Sequence, residues 1–340
     1  SDNRFIDTGK RENYLFNSSI NGIEESDLIF LIGTNPRYEA TILNARIRKS
    51  YLNNNTKIIS LNDLGDLTYP YESLDGQTQL LKDIFDGNNE ISKQIINANK
   101  PMIILGESLL NSNSSRYLFN MTKKFLTKNN KINDDWNAFN ILSCDAATVG
   151  NFDLGIINEE NNLLDDLKNH KFDIVYLVGQ DNLNFDKKDE FIIYQGSHGD
   201  NGAEIADIIL PGSAYTEQDG YYTNLEGKIQ KAQKASYPPG EAKEDWQIIN
   251  ELAEVMNNRK LFNDKDELES SMFNYLNLQK EKQSNANDKN TKVDESKFIN
   301  ETLKITVKDY YFSNVIARSS KTMVKCNNSK LNYKSTGTEG

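Results

Sequence analysis

Cysteine is nearly absent from this 340-residue chain: Cys144 and Cys326 are its two thiols. Two cysteines make neither a disulfide framework nor a four-sulfur metal site, which excludes a stapled secreted fold and a self-contained iron–sulfur protein. Long apolar runs are missing as well. The longest, such as 28–33 and 174–179, cover about six residues, far short of the 18 or more that cross a bilayer, so no stretch spans a membrane. Basic charge is in deficit: 39 Lys and Arg against 50 Asp and Glu leave a net charge of −11. Without clustered cations the chain is a poor candidate for gripping nucleic acid. There are only two histidines, and no Ser-His-Asp order, no HExxH and no GxxxxGK[ST] occur. The chain opens at Ser1 with no apolar or Arg-rich targeting segment, which reads as a leader already removed or as part of a longer polypeptide. Arginine supplies only eight of the cations, the rest being lysine, and Asn53, Asn54 and Asn55 form one run of an abundant asparagine. Both lysine and asparagine use A/T-rich codons, as in an A/T-rich coding genome, an organelle included.

The length allows one large domain or two ordinary ones. Its clearest pattern is a short, continuously apolar strand that stops at glycine: 27–33, 101–106 and 173–179. Continuous rather than alternating apolarity suits strands buried on both faces of a parallel sheet. Residues 57–61, 191–195 and 207–211 read as further strands of the same sheet. Between them lie helical patterns; Asn35 is placed to cap a helix with Pro36 at its first position and the run 37–52 behind it. Strand, glycine, helix, strand is the βαβ signature, so the body is expected to be a doubly wound, mostly parallel α/β fold. After Pro238-Pro239-Gly240, residues 241–256 predict an amphipathic helix with Trp246, Ile249, Leu252, Ala253 and Met256 on one face. Residues 279–297 are polar and read as a linker or disordered insert. The apolar and aromatic stretch 305–312 is too brief to fold alone and is expected to dock, and the last ten or so residues should be loose. The expected division is an α/β domain over 1–256, a helical and polar linker over 257–300, and an extended docking tail over 301–340.

Few residues invite chemistry. Gly33-Thr34-Asn35-Pro36 ends a strand and opens a helix, where backbone N–H groups can cradle a phosphate; a purely structural turn is an equal reading. His198 lies in a glycine-bracketed loop just past a strand, where α/β proteins place ligands, though a lone loop histidine more often only bonds its neighbours. His170, beside Lys171, reads as a solvated cation at a helix C-terminus. Cys144 reads as a small buried hydrophobe, and Cys326 has no partner at metal-ligand spacing. The pairs Glu24-Glu25 and Asp165-Asp166 read as solvated helix faces. From the residues alone, the chain is an α/β body with the remains of a nucleotide-type pocket and no catalytic centre.

Two stretches carry more. Ala206-Asp-Ile-Ile-Leu-Pro-Gly-Ser-Ala-Tyr-Thr-Glu-Gln-Asp-Gly-Tyr-Tyr-Thr-Asn-Leu-Glu-Gly-Lys-Ile-Gln230 resembles a hallmark of the molybdopterin-dependent oxidoreductases, and Gly33-Thr-Asn-Pro36 resembles their Gly-x-Asn-Pro loop. Lys228 stands where that family has arginine, which keeps the charge and loses the bidentate fork. A narrower resemblance rests on residues 14–29, 31–40, 43–49, 66–69, 191–200, 238–246, 305–312 and 319–326. Together these are similar to the large iron–sulfur subunit family of respiratory complex I, in its mitochondrial version, from about residue 10 to 328 in one order.

The resemblance implies a molybdopterin-oxidoreductase-like part without the cluster-ligating N-terminal half, encoded separately if the gene is split. It implies a non-catalytic structural role supporting electron transfer from NADH to ubiquinone within a proton-translocating oxidoreductase, in the peripheral arm on the matrix side of the mitochondrial inner membrane. No cofactor and no metal are expected in this chain; iron–sulfur clusters and FMN would sit in partner chains. The partners implied are the cluster-bearing half and other peripheral-arm subunits, with no nucleic acid and no membrane span. A vestigial pocket would be formed by Gly33, Asn35, Pro36, His198, Glu217, Asn224, Glu226 and Gly227. The segments 11–23 and 305–312, apolar-bearing and outside the obvious core, are the expected partner surfaces. The enzyme alternative is the cofactor-binding chain of a working molybdopterin oxidoreductase of the formate-dehydrogenase kind. It would need an open polar pocket lined by Gly33, Asn35, His198 and Glu226, with a metal ligand supplied from elsewhere. A stand-alone acidic binding module is the third class.

Overall fold

The strands in chain order are β1 (Leu28–Ile32), β2 (Lys57–Ser60), β3 (Glu72–Ser73), β4 (Pro101–Gly106), β5 (Phe139–Leu142), β6 (Ile174–Val178), β7 (Phe191–Gly196), β8 (Ile208–Pro211), β9 (Gly220–Thr223) and β10 (Ile229–Ala232). The helices are α1 (Pro36–Glu39), α2 (Thr41–Asn54), α3 (Thr78–Phe85), α4 (Glu90–Asn97), α5 (Glu107–Leu110), α6 (Ser115–Lys128), α7 (Thr148–Asp153), α8 (Leu163–Lys168), α9 (Asn201–Glu204), α10 (Asp245–Asn257), α11 (Lys265–Ser284), α12 (Val315–Ser319) and α13 (Lys321–Asn332). They are taken from a computed structural model that describes residues 5, 7–156, 163–180, 183, 186–199, 201–284, 293–307 and 309–332. Of the linker read over 279–297, residues 285–292 lie outside the described residues, as do residues 333–340 of the chain's end. Two compact units divide the chain: Ser1–Asn161 with Tyr222–Gln230 and Ser270–Val307, and Asn162–Tyr221 with Lys231–Glu269 and Lys308–Gly340.

In the first unit the five strands are all parallel, in the order β3-β2-β1-β4-β5. Successive side chains of a strand point to opposite faces, and both faces here are covered. Phe30, Ile32, Ile59, Ile103, Leu105 and Phe139 bury against Leu81, Ile84, Ile91, Ile95, Leu118 and Phe125 from α3, α4 and α6. Ile29, Leu31, Ile58, Met102 and Ile104 bury with Leu43 and Ile47 of α2 and with Phe16 and Ile23 of the N-terminal segment. This is the doubly wound arrangement that the continuous apolar strands predict. Asn35 does cap α1, its side chain accepting Arg37 N, with Pro36 at the first turn. The single helix expected over 37–52 is instead two, broken at Ala40, whose φ −150° and ψ 69° lie outside the helical region, and the chain restarts at Thr41.

The segment 11–23, expected to face a partner, belongs to this unit's own core. Tyr14, Phe16 and Ile23 are fully buried, and Phe16 bridges Asn140 antiparallel along the outer edge of β5, where Ile141 N donates to Leu15 O (3.0 Å). An uncovered strand edge needs backbone partners, and this segment supplies them.

The second unit holds a separate parallel sheet, β6-β7-β8. Residues 173–179, 191–195 and 207–211 therefore form strands as expected but not in the sheet of β1. Apolar runs specify strands, and their partners are set by crossovers that the runs do not encode. Its core is small: Leu167, Leu177, Ile192 and Tyr194 bury on one face. α10 also differs from expectation. Glu244, Ile248 and Asn250 turn inward, while Ile249 and Met256 are exposed, because Asn250 is held by Phe262 O and by the amides of Leu261 and Phe262. α11 runs to Ser284, so 279–284 is helix rather than linker. The stretch 309–332 forms a 3-10 turn over Tyr310–Phe312 followed by α12 and α13. Among the described residues no helix is long and apolar enough to cross a membrane.

His170 is not a bare solvated cation. It follows α8 with φ +56°, and its Nδ1 meets the buried Glu190 carboxylate. Amides of Lys188 and of Glu190 itself, with desolvation opposing and His170 helping, hold Glu190 down to about 2, against 4.5 for an ordinary glutamate. A folded-state carboxylate held below its unfolded value stabilises above the unfolded value and loses that contribution as pH falls towards the folded one. The second unit should therefore lose stability between about pH 4.5 and 2. Glu190→Gln should flatten that part of the pH–stability curve, as followed by urea melts at stepped pH.

Candidate functional site

In an open parallel sheet, ligands bind outside the carboxyl ends of the strands, where the strand order reverses. Here the reversal lies between β1 and β4. Two glycines bring these strand ends together. Gly33 has φ +69° and a Cβ there would lie 2.4 Å from Leu109 N; a Cβ on Gly106 would lie 2.4 Å from Gly33 O. Ser108 N then donates to Gly33 O (3.1 Å). Thus the first turn of α5 closes directly on the β1 loop.

Polar groups around this contact are engaged by the chain itself. Glu39 Oε2 accepts from Asn35 N (2.6 Å) and from the Thr34 hydroxyl. Asn35 Nδ2 donates to Leu64 O (3.1 Å). The Cys144 thiol faces Glu39 Oε1 at 3.6 Å and its amide donates to Glu107 Oε1 (3.0 Å). Cys144 is therefore only partly buried and polar in its contacts, not the packed hydrophobe its position after an apolar strand suggests. Burial raises the Glu39 carboxyl above its ordinary value, its hydrogen bonds oppose this, and the Glu107 charge adds to it.

Across the same edge runs residues 299–306. Ser114 Oγ donates to Ile299 O (2.7 Å), and Thr78 N donates to Glu301 O (3.0 Å). The Glu301 carboxylate accepts from Asn113 N (3.0 Å) and Nδ2 (2.9 Å). Thr302 bridges Gln77, Leu303 N donates to Gly76 O (2.8 Å), and Asn62 Nδ2 donates to Leu303 O (2.8 Å). Thr306 N donates to Ser108 Oγ (2.9 Å). Leu303 is buried in one core cluster and Ile305 packs against the other. The strap thus touches the loops after β2, β3 and β4.

The expected pocket residues divide accordingly. Gly33, Asn35 and Pro36 lie at this edge. Asn224, Glu226 and Gly227 form the tip of the β9–β10 hairpin, where Asn224 Oδ1 accepts from Glu226 N (3.1 Å) and Lys228 N (2.8 Å). The tip receives the N-terminal segment: Glu226 Oε1 accepts from Ile20 N (2.7 Å), and Gly227 O accepts from Arg11 Nη2 (2.6 Å). Arg11 also forms a bidentate pair with the buried Asp153 (2.9 and 2.7 Å), which accepts in addition from the Tyr14 hydroxyl (2.8 Å). Asp153 raises Arg11 further, and burial raises the Tyr14 phenol. His198 and Glu217 belong to the second unit. The His198 ring meets Ser197 Oγ (3.0 Å) and its carbonyl accepts from Tyr194 (2.9 Å), while Glu217 closes a turn on Ala214 N (2.9 Å). Among the described residues no group of three or more His, Cys, Asp or Glu is arranged to hold a metal ion.

Sequence reasoning missed Glu39, Glu107, Arg11, Asp153 and Glu301. Only Glu39, four residues after the capping Asn35, had a local signal; the others are joined across long separations. Two amides of the edge are engaged within the chain: Asn35 N serves Glu39, and Ser108 N serves Gly33 O.

A doubly wound parallel sheet with a glycine turn at its switch point places the first unit in the open α/β class whose members bind cofactors at that edge. The chain belongs to the molybdopterin oxidoreductase family, whose profile matches residues 2–255, and residues 267–326 match the C-terminal region of the NADH-ubiquinone oxidoreductase G-type chain. It is 38% identical to the mitochondrial NADH-ubiquinone oxidoreductase 78 kDa subunit of Candida albicans, over 93% of this chain and 45% of that protein. It is 38% identical to the 75 kDa subunit of Reclinomonas americana, over 93% and 47%. The corresponding NADH-quinone oxidoreductase protein of Rickettsia bellii is 36% identical, over 98% and 48%. The chain thus spans about half the length of the curated relatives it matches.

The strap should be part of the folded unit rather than a passing contact. Leu303→Ala should cost about 2–5 kcal/mol, read as a lower urea midpoint, and should speed limited proteolysis within 299–306. Gly106→Ala should cost about 1–3 kcal/mol by forcing the β1 and β4 loops apart, read in the same melt.

Proposed function

We propose that this chain is a structural, cofactor-free part of the large iron–sulfur subunit of respiratory complex I, in the peripheral arm on the matrix side of the mitochondrial inner membrane. The observation that carries this reading is the strap over residues 299–306. On the loops after β2, β3 and β4, at the side of the sheet where an oxidoreductase of this fold would seat a pterin or nucleotide, the chain lays its own backbone. The second support is that the Asn224-Glu226-Gly227 tip, matching the family's cofactor-proximal motif, is occupied by Arg11 and Ile20. A pocket filled by the protein's own segments becomes a packing platform. Its contribution to electron flow from NADH to ubiquinone is then to cover and position the cluster-bearing polypeptide that conducts the electrons. The catalytic activity belongs to the assembly.

Native electrophoresis of mitochondrial membranes, with in-gel NADH dehydrogenase staining and peptide mass spectrometry, tests the reading. Peptides of this chain should lie in the active band, and molybdenum and tungsten should be absent from the purified material by elemental analysis. A small species outside that band carrying either metal would overturn it.

A further inference from the structure

The acids that dominate this chain are missing from one stretch. Between Asp309 and Glu339 the sequence holds five cations, Arg318, Lys321, Lys325, Lys330 and Lys334, and no Asp or Glu, although acids outnumber cations 50 to 39 overall. Among the described residues the Tyr310–Phe312 turn, α12 and α13 pack on one another. Asn314 caps α12 by accepting from Ala317 N (2.9 Å), and Arg318 Nη1 donates back to Phe312 O (3.3 Å). Val324 N donates to Ser320 O (3.1 Å) where α13 begins. Val315, Ile316 and Met323 are half-buried.

The outer side of α13 is cationic. Residues four apart share a helix face, so Lys321 and Lys325 stand one turn apart, with Asn328 and Ser329 next along it. All four are exposed, while Met323 and Asn327 are half-buried. Among the described residues neither lysine forms an ion pair, whereas Lys231, Lys243 and Lys265 each do. Both placements oppose the helix. Like charges at this spacing repel, and Lys321 lies in the first turn, where the helix dipole favours an acid and none is present. An anionic surface laid against this face offsets both costs. Lipid insertion would need a free apolar face opposite the cations, and here Val315, Ile316 and Met323 are drawn into the element itself. A nucleic acid would bring its phosphates against a chain of net charge −11. Spaced lysines between short polar side chains instead match protein carboxylates, one ammonium to one carboxylate.

We infer that the Lys321–Lys325 face of α13 docks on an acidic surface of a neighbouring protein chain in the assembly. This rests on the function proposed above and adds to it the docking face and the chemistry of its partner. The contact is polar, its ammonium groups meet Asp and Glu carboxylates, and salt weakens it.

The test uses the assembled complex. A carbodiimide joins an amine to a carboxylate with no spacer, so it should link Lys321 or Lys325 to an Asp or Glu of another polypeptide, identified by peptide mass spectrometry. The Lys243–Glu251 pair within this chain (2.6 Å) reports that the reaction has run. Lys321→Glu with Lys325→Glu should abolish the product and cut the share of this chain retained in the complex about tenfold at about 0.15 M salt. Lys321→Arg with Lys325→Arg keeps the charge without the reactive amine, so it should lose the product and keep the retention. Products confined to carboxylates of this chain or of a second copy would overturn the inference. So would no product at either lysine beside a Lys243–Glu251 product, or full retention of the Glu pair. Binding of the complex to phosphatidylglycerol vesicles that the Glu pair abolishes would overturn it in favour of lipid. A wild-type chain absent from the NADH dehydrogenase band would overturn the function proposed above instead, so the two failures are separable.

Discussion

The contact between the Gly33 and Gly106 turns sets the limits for the rest of the first unit. β1 and β4 are neighbours at the centre of the sheet, and a Cβ on either glycine would collide with the other loop or with Leu109. With no side chain between them, the carboxyl ends of the two central strands meet through backbone, and Ser108 N is spent on Gly33 O. A fold of this kind ordinarily keeps a crevice there for a ligand. Here Ser108 N bonds to Gly33 O, and Asn35 N and the Thr34 hydroxyl bond to Glu39.

Two of the chain's own segments complete what a ligand or a neighbouring strand would otherwise provide. The N-terminal segment supplies the β5 edge with backbone partners and buries Tyr14, Phe16 and Ile23. Its Arg11 is fixed by Asp153 and Gly227 O, tying α7 and the hairpin tip to it. The strap supplies the carboxyl edge, with Leu303 and Ile305 reaching the cores on the two faces of the sheet. Both use the same physical device: backbone hydrogen bonds satisfy otherwise unpaired groups, and one or two large side chains hold the segment down by burial. Asn224 and Glu226 at the hairpin tip bond within the chain.

The second unit is built to a different standard. Its strands bury Leu177, Ile192 and Tyr194 with Leu167 of α8, while Ile174, Val178, Phe191, Ile208 and Ile209 are exposed. Its polar fixtures are local, as in the His170–Glu190 pair and the Gln195–Asp245 contact.

The strands of both sheets, the Asn35–Pro36 helix start and the doubly wound class were legible because each depends on residues close in the chain: apolar runs ended by glycine, a capping side chain, a fixed proline φ. The family was legible for the same reason, since its motifs are contiguous. The sequence could not reveal that 173–179 and 207–211 leave the sheet of β1, because strand partners are chosen by crossovers and packing. Nor could it reveal that α10 turns Ile248 inward and Ile249 outward, which follows from Asn250 being held by residues 261 and 262. The pocket was the hardest to read. Gly33, Asn35, Glu226 and Gly227 suggest a cofactor-type site by residue type, but the fold divides them, and their bonding partners include Glu39, Ile20 and Arg11. Apart from Glu39, those residues lie 206 and 216 positions from the tip groups they meet, and only the folded chain brings them there.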